Sequence, residues 1–286
     1  MNGCCSSIFP VVDGVPVLLN WQKSVFSGGN FAEHRNTYHD PKRNGFKKNL
    51  FKIVPKISAN IKAKNNFRRL CSLLFDVSKN PKVLVLGGRI IGASMNEFLS
   101  NSSIEFLETD VSFGPRTMAI VDAHYIPLKD NSFDCVVIQA VLEHVMDPYR
   151  CVKEIHRVLK HNGIVYAATA FMQQVHGGRY DFTRFTRMGH RLLFKQFEET
   201  ESGAVCGTGM ALAWAYERFL MSLAKSATLR RMASIFARTT TFWLKYFDYL
   251  TINNPASLES ASGYYFLGRK SEHDLGDREI IESYDV

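Results

Sequence analysis

The chain has 286 residues, 46% of them hydrophobic, which is ample material for a core and fits one large domain or one domain with appendages. No uncharged apolar run reaches the roughly 18–20 residues that cross a bilayer, and residues 1–10 lack a basic stretch followed by a long apolar one, so neither a membrane-spanning helix nor a secretory leader is expected. The net charge of +8 is uneven: residues 20–70 hold twelve Lys and Arg against two acids, a composition suited to nucleic acid, an anionic membrane face or a phosphorylated substrate, or to a solvated arm.

In chain order, residues 1–20 read as a short hairpin, two apolar runs around the turn dipeptide Asp13-Gly14. The wording of residues 8–19 resembles the last hairpin of the zinc-ribbon-like domains that accompany some methyltransferases. Those domains use separated cysteine pairs, whereas the adjacent Cys4-Cys5 makes a poor joint ligand set, so the reading is a metal-free remnant with no metal bound. The six cysteines show no disulfide framework, and Cys135 sits in an apolar run as a buried reduced thiol would, which predicts a cytoplasmic protein. Residues 21–65 read as a basic linker or arm, and residues 67–75 as an amphipathic helix.

From Lys82 onward, strand-like runs alternate with helix-like stretches, the pattern of a parallel α/β sheet. Strands are predicted near 82–87, 103–108, 117–121, 134–139, 163–169, 197–206 and 262–269, and helices near 91–100, 147–159 and 186–195. An insertion at about 209–255 is helical, aromatic and basic, a composition fitting either plain packing or contact with a membrane surface or apolar acceptor. Contact through it would place the protein peripherally on the inner face of a membrane.

The chemistry-bearing residues follow the strands. Gly87-Gly88 closes the first strand of the alternating region, where a bare backbone allows a ligand close approach. Asp110 follows the second run, Asp122-Ala123 the third, and the string Gln139-Ala140-Val141-Leu142-Glu143-His144 the fourth. The order and spacing of these motifs resemble the class I S-adenosylmethionine-dependent methyltransferases, in particular the type-11 branch. The resemblance implies a Rossmann-like fold over residues 66–286, a seven-stranded mostly parallel sheet with helices on both faces, and S-adenosylmethionine as cofactor. It also implies that Gly87, Gly88 and Arg89 pass the methionine end, that Asp110 (with Glu108 as competitor) takes the ribose hydroxyls, that Asp122 and Ala123 meet the adenine, and that Gln139 and Ala140 line the sulfonium region. Two departures stand out: Arg89 replaces a frequent third glycine, and Val85 the usual acid of the first strand.

Residues 170–186 are dense in groups that bind or deprotonate, and resemble a phrase in bacterial methyltransferases, some of them linked to surface-glycan assembly. His144, His176, Tyr180 and Asp181 are the catalytic candidates and Arg184 the substrate-binding one; a structural His144 and a loop stapled by its own Asp–Arg pair are the competing readings. The expected reaction is in-line methyl transfer to a small-molecule, glycan or lipid-linked acceptor. A scaffold that kept the fold stays open as an alternative. A nucleic-acid methyltransferase is disfavoured because no Asn-Pro-Pro-Tyr-type element for a flipped base follows the fourth strand. A nucleotide-dependent oxidoreductase would leave Asp122-Ala123 without a role.

Overall fold

The computed structural model describes residues 8–26, 54–89 and 93–284. Nine strands make one sheet: β1 (Val11–Val12), β2 (Val15–Leu18), β3 (Lys82–Leu86), β4 (Glu105–Asp110), β5 (Ala119–Val121), β6 (Phe133–Gln139), β7 (Leu159–Ala170), β8 (Phe197–Cys206) and β9 (Gly263–Lys270). Their order across the sheet is β1-β2-β5-β4-β3-β6-β7-β9-β8. Neighbours from β5 to β7 run parallel, and β9 enters antiparallel between β7 and β8. The strand order reverses at β3, with β4 on one side and β6 on the other, and such a switch point opens a crevice at the carboxyl ends of the strands.

Strands β3 and β6 are covered on both faces, which is why they read as unbroken apolar runs rather than alternating ones. Leu84, Leu86, Val136 and Ile138 pack on one face together with Val152 and Ile155 of α3 (Pro148–Val158). Val83, Val85, Cys135 and Val137 pack on the other, with Phe67, Leu70 and Leu74 of α1 (Ala63–Val77) and Phe98 of α2 (Ala93–Leu99). Helix α3 starts where Asp147 accepts the backbone N–H of Arg150 and Pro148 occupies the first turn, a strong start signal. A further helix, α4 (Arg187–Leu193), precedes β8.

The sheet has nine strands where seven were expected, because β2 lies parallel to β5 with Val17 opposite Ile120. Without it, β5 would be an edge strand with unpaired amides, and Ile120 would lose the cover of Val17 and Leu19. The hairpin turn is as its sequence requires, with Asp13 and Gly14 both at positive φ. Cys71, Cys135, Cys151 and Cys206 are free thiols. Cys4, Cys5 and most of the basic arm lie outside the described residues.

Helices α5 (Thr208–Ser222), α6 (Ala227–Thr241), α7 (Leu244–Thr251) and α8 (Pro255–Leu258) fill the stretch between β8 and β9, and α9 (Asp277–Glu282) follows β9. Among the described residues no helix is long and apolar enough to cross a membrane.

Candidate active site

A cavity of about 310 Å³ opens at the carboxyl ends of β3 to β6. Gly87 forms part of its wall at φ +83°, and a Cβ there would stand 2.2 Å from Val141 Cγ2, so the chain presents bare backbone. The N–H groups of Gly87 and Gly88 both donate to Thr109 O at 2.9 Å, tethering this loop to β4. Gly88 is not part of the cavity wall, and a Cβ there would meet Glu108 Cβ at 3.5 Å. The Arg89 N–H donates to Asp110 Oδ2 at 3.1 Å, and both residues line the cavity.

Asp110, the last residue of β4, also accepts the Ser112 N–H at 2.9 Å. Burial raises its carboxyl above the usual range against the pull of these amides. Glu108 is instead held in a two-pronged ion pair with Arg116 (Nε 2.7 Å), off the cavity. Asp122 follows β5, buried, with Oδ1 accepting the His124 N–H at 3.0 Å and facing His124 Nδ1 at 2.6 Å. His124 Nε2 accepts the Asp147 N–H, which puts the ring proton on Nδ1, toward the carboxylate. Burial would lift the Asp122 carboxyl, but the bonds from His124 and Ser24 outweigh it and hold it below the usual range. Ala123 lines the cavity beside it.

Gln139 and Ala140 come from the end of β6. Ala140 sits at φ +54° with its N–H on Ala168 O, and Gln139 Oε1 is buried without a hydrogen-bond partner among the described residues. An orphaned polar atom on a cavity wall marks a place where a ligand donor belongs.

The overhanging loop divides the remaining candidates. His144, His176 and Tyr180 reach the cavity. His144 Nδ1 donates to Tyr180 O at 2.9 Å, His176 Nδ1 to Gln174 O at 3.1 Å, and the rings meet edge to face at 5.0 Å. Burial pushes His144 down to about 4, so its ring is neutral near pH 7 with a lone pair on Nε2. Asp181 and Arg184 do not reach the cavity. The Asp181 carboxylate accepts the N–H groups of His176 (2.7 Å) and Gly177 (2.8 Å) and pairs with Arg184, whose guanidinium also donates to Gln173 O, Gln174 O and Thr183 O. Burial works against the Asp181 charge, but the Arg184 bond and the two amides outweigh it and hold the carboxyl far below its usual range. This pair fixes the loop that presents His176 and Tyr180.

Two features escaped sequence reasoning. Val25 and Phe26 line the cavity from the segment after β2; Ser24 Oγ donates to Asp122 Oδ2 at 3.1 Å, and the Phe26 ring lies 6.1 Å from that of Tyr180. Nothing local in that polar stretch signals a wall of the site. The second is Glu143, buried, with Oε2 lacking a partner among the described residues and its carboxyl pushed up to about 7 by burial. Glu143, His144 and His176 bring one carboxylate oxygen and two ring nitrogens within 4.8 Å of one another, a set of the donor type that holds transition metals. Glu143 was visible in the motif, but its complete burial is a tertiary fact.

The cavity fits S-adenosylmethionine by its own chemistry: its size falls in the range of roughly 300–1,000 Å³ of small-ligand sites, with carboxylates at the ends of two adjacent strands, bare backbone at Gly87 and the unsatisfied amide oxygen of Gln139. Residues 88–167 match the family Methyltransf_11, a methyltransferase domain. The chain is 28% identical over 113 residues to the human mitochondrial arginine-hydroxylase NDUFAF5, an alignment covering 35% of this chain and 32% of that protein. It is 30% identical over 100 residues to the ubiquinone/menaquinone biosynthesis C-methyltransferase UbiE of Saccharophagus degradans, covering 34% and 40%. The chain thus spans less than half the length of either relative. Among solved structures, phosphoethanolamine N-methyltransferase 2 of Haemonchus contortus in complex with S-adenosyl-L-methionine superimposes with a TM-score of 0.44 at 16% identity, over 73% of this chain and 53% of that one.

Proposed function

We propose that this chain, whose residues 88–167 match a methyltransferase domain family, carries out in-line methyl transfer from S-adenosylmethionine to a small-molecule, glycan or lipid-linked acceptor. The observation that carries the reading is the convergence of Asp110, Asp122, Gly87 and Gln139 on one cavity at the switch point of the sheet.

The chemistry that the cofactor supplies when bound is an electrophilic sulfonium methyl group. The protein's task is therefore alignment, which supplies much of the rate in such displacements. Asp110 is placed to accept ribose hydroxyls at the end of β4, and Asp122, with lone pairs beyond those His124 and Ser24 use, to accept the adenine amino group. Gln139 Oε1 has full acceptor capacity at the wall. His144, neutral and oriented by the Tyr180 carbonyl, is the base for a hydroxyl acceptor. His176 and Tyr180 complete the acceptor side of the wall on a loop held by Asp181 and Arg184.

Calorimetric titration with S-adenosylmethionine tests the cofactor site directly. The wild-type protein is expected to bind in the micromolar range, and Asp110→Ala to weaken binding by about 10–100-fold, the loss of one charged acceptor. Absence of binding to folded wild-type protein would leave a scaffold that kept the fold.

A further inference from the structure

The helices between β8 and β9 are built inside out. In α5 the buried positions are Met210, Ala211, Ala213 and Glu217; in α6 they are Ser234, Ala237 and Thr241; in α7 the buried residue is Asp248. Apart from Met210, which joins the main core, these are small or polar. The helices meet through them and through hydrogen bonds: Glu217 Oε1 accepts Ser234 Oγ (2.5 Å) and Arg238 Nε (2.7 Å), while Asp248 accepts the N–H groups of Gly209 (2.7 Å) and Met210 (3.0 Å).

The large apolar side chains face outward. Leu212 and Phe219 stand exposed on α5 with Leu223 at its C-terminal cap, Leu229, Met232 and Phe236 on α6, and Tyr246, Phe247 and Leu250 on α7 with Trp243 at its N-terminal cap. Spacings of three, four and seven residues place each set on one side of its helix. A water-soluble bundle does the opposite, whereas helices that pack through small residues and turn bulk outward suit an apolar solvent.

Charge decides what that solvent adjoins. The two acids of the stretch, Glu217 and Asp248, are both buried and engaged, so every exposed charge from 208 to 251 is positive: Arg218, Lys225, Arg230 and Arg231. Helices that expose large apolar and aromatic side chains and, among their charges, only bases match an anionic bilayer surface. The same region adjoins the candidate active site. The Trp214 ring lies 6.3 Å from that of His176, and Arg218 borders, with Val175, Asp181, Phe182 and Arg184, an open depression of about 600 Å³ at the loop. Met172, Val175 and Phe182 extend the exposed apolar surface around the loop.

We propose that α5 to α7 seat the protein on the interface of an anionic membrane, with Trp243, Tyr246 and Phe247 at headgroup depth and the apolar stripes below. The surface stands independently of the proposed chemistry. Its corollary, an acceptor that is a lipid or is carried on one, rests on the methyltransferase reading and selects the lipid-linked acceptor among those named above.

Vesicle flotation of the full chain, without cofactor, tests the surface. The protein is expected to float with phosphatidylcholine vesicles containing phosphatidylglycerol and much less with phosphatidylcholine alone. Arg230→Gln with Arg231→Gln should lower partition by roughly fivefold per base removed. Leu229→Ser with Met232→Ser and Phe236→Ser should lower it by at least roughly tenfold on both compositions. Circular dichroism of each variant, compared with wild type, shows whether the fold is retained, and calorimetric titration with S-adenosylmethionine reports separately on the cofactor site. Wild-type protein that stays unbound to anionic vesicles overturns the proposal. So does protein that self-associates in light scattering through the α6 stripe without floating, since a second copy then covers the face.

Discussion

Glu143 illustrates what a single side chain can disclose only after folding. It stands next to His144 in a motif already marked by sequence, yet its oxygen Oε2 ends buried and unsatisfied among the described residues, with burial pushing the carboxyl up to about 7. Because its folded pKa lies above its unfolded value of about 4.5, the native state binds the extra proton between these values, and stability is lost as pH rises through that window. Glu143→Gln keeps the shape and abolishes the titration, so its stability advantage over wild type should grow by on the order of 2 kcal/mol between pH 4.5 and 8 in urea denaturation. A constant difference across that range would show that Glu143 titrates normally. The cofactor-side residues were legible because strand ends in an α/β sheet predict which side chains meet: Asp110, Asp122, Gln139 and Ala140 all reach the cavity. Asp181 and Arg184 were not, since nothing in their spacing tells whether two opposite charges turn to a ligand or to one another.

Among the elements, strands β3 to β9 and helices α2 to α4 fall within about two or three residues of their predicted bounds, β7 excepted, because period and glycine punctuation are local signals, whereas the insertion was expected only as one helical stretch and α9 not at all. The hairpin was legible from its Asp-Gly turn, but its attachment to β5 was not: parallel pairing between Val17 and Ile120 has no local signature. The packing of α5 on α7 is likewise a tertiary fact. Asp248, from α7, caps the first amides of α5, and Gly209 must lack a side chain because a Cβ would stand 2.3 Å from Leu244 O. Asp248→Ala leaves two N–H groups without their acceptor and is expected to destabilise the insertion by about 1–3 kcal/mol. Hydrogen exchange should then accelerate at 208–222 and 244–251 while affinity for S-adenosylmethionine stays at the wild-type level. Equal acceleration throughout the sheet would mean that the helices and the sheet unfold as one unit.

For the molecule as a whole, acid is the expected weakness. Burial lowers His144 to about 4 and His190 to about 3, so below about pH 6.5 the unfolded chain takes up protons that the native one refuses. Stability must therefore fall as pH drops through this range, while Glu143 offsets part of the loss. The urea midpoint is expected to correspond to on the order of 2 kcal/mol less stability at pH 5 than at pH 7; an unchanged or higher value would contradict neutral burial of both rings.

The strand that borders β5 has a further consequence in time rather than space. During synthesis residues 15–18 leave the ribosome long before Ile120 exists, so β2 must wait for roughly a hundred residues before its ladder can close, a non-local pairing that folds late. Ser24, Val25 and Phe26 arrive over the cavity only with it. One wall of the chamber is therefore made before the sheet it docks onto. A nascent protein owns Val25 and Phe26 well before it owns the carboxylates they will enclose.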